Sequence, residues 1–124
     1  MIKGVGTDIV DVDRIAENIE KYGERFAQRI LAKSELAEYE KTKMKAQFLA
    51  SRFAVKEAVA KALGTGFRDG LAMHDIATSK NELGKPSVVY YAKAKELVLE
   101  QGITDTHVSI AHERHTTIAF VVLV

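Results

Sequence analysis

The sequence predicts an α+β domain in which an antiparallel sheet packs on one long central helix. Three observations lead there. Residues 45–63 are rich in alanine, contain no helix breaker, and end at Gly64, where a left-handed C-terminal cap belongs. Ile2–Val12 is rich in Val, Ile and Gly and poor in helix formers, which reads as a strand. Beyond residue 74 the apolar period changes from helical to alternating.

The elements between follow in order. Asp13 is expected to cap a helix running to Tyr22, with Ile15, Ile19 and Tyr22 on one face and Gly23 as its stop. A further helical segment surrounds Phe26, Ile30 and Leu31, and Ser34 is expected to cap another carrying Leu36 and Tyr39. The long helix is apolar around most of its circumference, as a largely buried helix would be. Asp75–Ser79 and Ser87–Tyr90 read as strands, joined through Lys80 by the turn-forming Asn81-Glu82-Leu83-Gly84-Lys85-Pro86. Ala92–Gln101 reads as a helix ended by Gly102. His107–Glu113 alternates, Ile118–Val124 is continuously apolar, and Arg114–Thr117 between them would close a hairpin.

One domain is expected over residues 1–124, because the chain is 124 residues long, 47% hydrophobic and 28% charged, with no linker or repeat to divide it. The longest apolar run is too short to span a bilayer, and the early charges Lys3, Asp8, Asp11 and Asp13 leave no signal-peptide core. The absence of cysteine removes disulfides, zinc–thiolate sites and a thiol nucleophile. These features fit a cytoplasmic protein with no membrane association. Net charge is +1, but it is unevenly spread: residues 1–13 hold one Lys against three Asp, and residues 14–61 hold eleven Lys or Arg against seven Glu. The basic middle would attract an anionic partner. With 7% aromatics and no tryptophan there is no stacking motif for RNA, so nucleic acid is not expected.

The candidate chemical residues each admit two readings. Asp8 interrupts an apolar strand and shares a face with Gly4 and Gly6, so it either ends the strand near a turn or lines a site. Glu57 and Lys61, four apart, are either an intrahelical ion pair or two groups of a site in a mostly apolar helix. Arg52 and Lys56 form a second basic stripe for which solvation is expected. Gly64-Thr65-Gly66 is either a helix cap with its turn or an anion loop, in which case Lys61, Arg52 or a metal must offset the negative helix end. His107 shares a strand face with Ser109, with no orienting acid for a triad, and His74, His112 and His115 have no metal-ligand spacing.

Three stretches taken together are more specific. They are Gly4-Val-Gly-Thr-Asp8-Ile-Val-Asp-Val-Asp-Arg14-Ile, Arg52-Phe-Ala-Val-Lys56-Glu57-Ala-Val-Ala-Lys61-Ala-Leu-Gly64-Thr-Gly66, and His107-Val-Ser-Ile-Ala-His112-Glu. Their order and spacing closely resemble the holo-acyl carrier protein synthase family, the small stand-alone class of phosphopantetheinyl transferases, over nearly the whole chain. One departure is Ala111, where many members have serine; it touches no metal or phosphate role. The resemblance implies a 4′-phosphopantetheinyl transferase-like fold and transfer of 4′-phosphopantetheine from coenzyme A to a serine of apo-acyl carrier protein, releasing adenosine 3′,5′-bisphosphate, for fatty acid biosynthesis.

By the family pattern, Asp8 and Glu57 hold magnesium, and Lys61 contacts the phosphates. Two carboxylates suit magnesium, which completes its octahedron with water and phosphate oxygens. The resemblance also assigns coenzyme A contacts to Arg52, Lys61, Gly64, Thr65, Gly66 and His107. Asn81, Gly84, Lys85 and Pro86 lie in the loop that in this family approaches the nucleotide from a neighbouring subunit. Arg14, and Arg25 with Arg29 beside Phe26, match the region that docks the acidic carrier protein. A related larger class places two such units in one chain with the site between them. A single unit therefore implies a homo-oligomer, by family a homotrimer. A different class of protein, a non-catalytic module binding coenzyme A-like nucleotides or an acidic partner, would bind without turnover; the retained Asp8, Glu57 and Lys61 argue against it.

Overall fold

The computed structural model describes residues 1–124. Its elements are β1 (Gly4–Asp11), α1 (Val12–Tyr22), α2 (Glu24–Ile30), α3 (Lys33–Lys41), α4 (Lys45–Leu63), β2 (Ile76–Lys80), β3 (Pro86–Tyr90), α5 (Ala92–Glu100), β4 (Thr106–His112) and β5 (Thr116–Leu123), with one 3₁₀ turn at Met73–Asp75. This is the α+β architecture the sequence predicts. The sheet is divided: β1-β5-β4 form one antiparallel sheet and β2-β3 another. No helix is long and apolar enough to cross a membrane.

Helix α4 is the spine. Twelve of its 19 residues are buried, and it ends at Gly64 in the left-handed conformation. Strand β1 lies directly on it, because Gly4 and Gly6 bring backbone against backbone. An added Cβ at Gly4 would stand 2.1 Å from the Ala62 carbonyl oxygen, and one at Gly6 1.9 Å from that of Ala58. On the same face of the sheet Thr117, Ala119, Val121 and Leu123 of β5 are buried. The other face keeps Val5, Ile9, Ile118 and Phe120 between 41% and 68% exposed.

Several local expectations change. Asp11 caps α1, its carboxylate accepting from the N–H groups of Asp13 and Arg14, so Asp13 falls inside the first turn. The Asp two residues earlier wins because β1 stays extended to Asp11, leaving that residue with the φ and ψ a cap needs. Ala32 starts α3, its N–H held by Glu35 at 3.0 Å, and Ser34 lies in the first turn. Strand β5 begins at Thr116, two residues before its apolar run, because Thr116 and Thr117 pair with Asp11 and Val10.

The largest correction concerns Arg52 and Lys56. The expected solvated stripe is buried, at 3% and 0% exposure. Each has found an acid on α3: Lys56 meets Glu35 at 2.6 Å and Arg52 meets Glu38 at 3.4 Å. Burial of a charge depends on such a partner, and both partners are distant in sequence.

Candidate active site

Asp8 is central in β1, three residues before the strand ends, so it does not terminate it. The alternation of β1 turns Asp8 with Gly4 and Gly6 toward α4. There it meets Lys61, whose Nζ donates to Asp8 Oδ1 at 3.0 Å and to the Thr7 carbonyl oxygen at 2.9 Å. The intrahelical Glu57–Lys61 pair is thus replaced by a pair between helix and strand. Glu57 has no ion-pair partner within 4.0 Å. Partial burial raises its pKa above the ordinary carboxylate value, the negative charge of Asp8 raises it further, and Lys61 opposes both.

Asp8 and Glu57 open onto one cavity of about 410 Å³, which Arg14, Asn18, Phe26 and Phe53 also line. The structure therefore joins the carboxylate pair to two of the residues assigned to carrier docking. Arg25 and Arg29 are exposed on α2 outside that cavity. Asn18 and Phe53 were not singled out from the sequence, although spacing could have found them. Asn18 follows Arg14 by four on α1, and Phe53 precedes Glu57 by four on α4, which places each on the face of its partner.

No cluster of three or more His, Cys, Asp or Glu side chains exists to cage a metal ion. Two neighbouring carboxylates that repel one another, with open space beside them, fit magnesium: hard oxygen donors from the protein, with the remaining positions left to water and phosphate.

The remaining coenzyme candidates lie elsewhere. Gly64 and Gly66 direct their N–H groups to the carbonyls of Lys61 and Ala60, and the Thr65 hydroxyl bonds the Gly66 carbonyl, so the loop caps α4. Arg52 donates to Ser51 Oγ at 2.9 Å and stacks on Phe48, while its buried Nε has no partner. It lines a second cavity of about 440 Å³ together with Lys41, Lys80 and His112. Burial and the cations Lys80 and Arg52 lower the pKa of His112. His107 is exposed on the outward face of β4, opposite Val122 of β5. It is on the side of the sheet away from Asp8. Asn81, Gly84 and Lys85 form an exposed turn in which Asn81 Oδ1 accepts from Leu83 and Lys85 N–H at 2.9 Å each, and Pro86 opens β3.

An α+β fold on a central helix, with two carboxylates and a lysine at the helix–strand contact, has the charged groups that transfer of a phosphoryl-type group uses. The sequence model of the 4′-phosphopantetheinyl transferase superfamily matches residues 4–119, and the chain belongs to that family. It is 48% identical to the holo-[acyl-carrier-protein] synthase of Pectobacterium atrosepticum over 98% of this chain and 97% of that protein. The crystal structure of the Neisseria meningitidis holo-[acyl-carrier-protein] synthase superposes with a TM-score of 0.95 at 42% identity, covering 100% of this chain and 99% of that one. The Helicobacter pylori synthase, solved in complex with coenzyme A, gives 0.84 at 32% identity over 97% and 99% of the two chains.

Proposed function

We propose that this protein transfers 4′-phosphopantetheine from coenzyme A to a serine hydroxyl of apo-acyl carrier protein, releasing adenosine 3′,5′-bisphosphate. The observation that carries the reading is that Asp8, held by Lys61, and Glu57 open onto one cavity that Arg14 and Phe26 also line. In this reading a phosphate site and a docking surface for an acidic protein are adjacent, as the transfer requires.

In the reaction the serine oxygen bonds to the phosphorus that bears pantetheine, and the bond from that phosphorus to the bridging oxygen breaks. We assign the serine proton to Glu57, directly or through a water, a carboxylate whose pKa burial and the charge of Asp8 raise above the ordinary value. Lys61, anchored by Asp8 and Thr7 O, presents its ammonium to the phosphate oxygens. Asp8 and Glu57 would hold magnesium, which when bound supplies positive charge to the pyrophosphate and the departing bisphosphate.

The site is completed by a second copy of the chain. His107 faces away from Asp8, and Arg52 with the Asn81–Pro86 turn lies outside the carboxylate cavity. The outward sheet face on which His107 stands carries Val5, Ile9, Ile118 and Phe120 uncovered, an apolar surface suited to burial between copies. We assign a homotrimer with coenzyme A between subunits, its phosphates reached by Lys61 of one copy and by the basic cavity that Arg52 lines with Lys41 and Lys80. The reaction is placed in the cytoplasm.

The test is the intact mass of apo-acyl carrier protein after incubation with the protein, coenzyme A and magnesium. A gain of about 340 Da that disappears with chelator or with Glu57→Ala is expected. Tight coenzyme A binding with no mass change, while a relative modifies the same carrier, would favour a binding module.

A further inference from the structure

The ion pair between Lys56 and Glu35 is fully buried, with each side chain only 1% exposed, and it joins residues 21 apart. Both carboxylate oxygens and the ammonium also bond to backbone. Glu35 Oε1 also accepts the Ala32 N–H at 3.0 Å, Glu35 Oε2 accepts the Thr78 N–H at 2.9 Å, and Lys56 Nζ donates to the Ile76 carbonyl oxygen. Relative to apolar side chains of similar volume, such a pair adds little stability, because desolvation offsets the attraction. Its purpose lies in what it holds.

Strand β2 has a neighbour on one edge only. Asp75 O bonds to Tyr91 N–H on the β3 side, and successive peptide groups of a strand point to opposite edges. The Ile76 carbonyl and Thr78 N–H therefore point to the edge where no strand lies, and both residues are buried, at 0% and 2% exposure. There the Lys56 ammonium donates where a neighbouring strand's N–H would, and the Glu35 carboxylate accepts where its C=O would. The pair stands in for a third strand.

We propose that Glu35 and Lys56 are positioning residues for coenzyme A: they clamp the β2–β3 hairpin to α3 and α4 and so fix its tip, Asn81–Lys85. This rests on the transferase reading, in which that tip contacts the coenzyme. The tip is internally tied, since Asn81 Oδ1 holds the N–H groups of Leu83 and Lys85 and Asn81 N–H bonds the Lys85 carbonyl. It consequently moves with its strands. From Thr78 the tip is about 15 Å away, so a tilt of about 5° displaces it by about 1 Å. Misplacement of that size weakens binding steeply. The placement of α4 itself does not depend on the clamp, because Gly4 and Gly6 already seat it on β1.

The test pairs the charge-free variant Glu35→Leu/Lys56→Met with Glu35→Asp, which keeps both charges but withdraws the carboxylate from Thr78. In each, KM for coenzyme A should rise about 10-fold or more, with kcat within about threefold and KM for the carrier unchanged. Amide hydrogen exchange in residues 76–90 should accelerate about 10-fold or more while α4 stays protected. Folded variants with unchanged coenzyme A KM and unchanged exchange in the hairpin would overturn the clamp, as would acceleration spread evenly over the molecule. Should the double variant fail to fold, Glu35→Asp decides by the same two readouts. Exchange reports the clamp without turnover, so a failure of the transferase reading, seen as an inactive wild type, is distinguishable from a failure of the clamp.

Discussion

Replacing Gly6 by alanine adds a single methyl group, and the structure leaves no room for it. The new carbon would lie 1.9 Å from the Ala58 carbonyl oxygen and 2.9 Å from both the Ala58 carbonyl carbon and the Ala62 nitrogen. All three are backbone atoms, so no side-chain rotation relieves the clash. Ordinary contact needs about 3.4 Å or more, and β1 and α4 must therefore separate by about 1.5 Å. Glu57 immediately precedes Ala58, and Asp8 is two residues beyond Gly6, so the separation falls on the carboxylate pair. Overpacking against rigid backbone costs about 3 kcal/mol. For a chain of this length that lowers Tm by roughly 10–15 °C. Catalytic geometry tolerates displacements of about 0.5 Å, and a loss of about 100-fold in kcat/KM is expected at a temperature where the variant is still folded. Gly102→Ala is the control: its positive φ costs about 1 kcal/mol, but its only neighbour within 4 Å is the end of the Lys3 side chain, and turnover should be unchanged. Calorimetry and the carrier-protein mass assay measure both effects. A Gly6→Ala protein that melts within about 2 °C of wild type would refute the close approach of strand and helix. One that is destabilised yet fully active would refute the dependence of the site on that approach.

Three further outcomes are expected. Glu57 titrates higher folded than unfolded; below about pH 4 both states keep the proton, and as pH rises through the folded value the folded state loses stability that it does not regain at neutrality. Glu57→Gln should therefore melt above wild type at neutral pH in metal-free buffer, with the difference shrinking toward pH 4, while transfer falls about 100-fold or more; an unchanged neutral-pH melt would contradict the burial cost. Arg14→Glu should raise KM for the carrier protein about 10-fold with the coenzyme A KM unchanged, and an unaltered carrier KM would remove Arg14 from the docking surface. Phe120→Glu puts a charge on the outward sheet face, and sedimentation should show the single-chain mass together with loss of transfer; an assembled, active variant would show that this face is free.

The long helix was legible almost to the residue because its signals are local: alanine without breakers from Lys45, then a glycine where a left-handed cap is needed. Asp8, Glu57 and Lys61 were legible as a set through the resemblance of three stretches, but not their pairing. Nothing near Lys61 in sequence says that its ammonium reaches a strand more than 50 residues earlier in preference to Glu57 one turn away. Arg52 and Lys56 were misread for the same reason. A lysine on a helix is solvated unless the fold brings an acid to it, and Glu35 is brought by packing of α3 that no local pattern announces. Both caps lie two residues earlier than expected: at α1 the end of the preceding strand selects Asp11 over Asp13, and at α3 the cap is Ala32, its N–H held by Glu35.

The continuous apolar run at Ile118–Val124 ties assembly to chemistry. A strand with one wet face alternates, whereas one covered on both faces reads as an unbroken apolar run. Strand β5 reads as the second kind, yet α4 covers only Ala119, Val121 and Leu123, leaving Ile118 and Phe120 open. The proposed assembly would supply the second cover that this pattern suits. Phe120 sits opposite Thr7, next to Asp8 in β1, and opposite Ser109 of β4, two residues from His107. A copy seated on this face would lie one strand's thickness from the carboxylate pair, with the His107 side chains brought into the interface. Loss of the interface and loss of transfer are therefore expected to occur together.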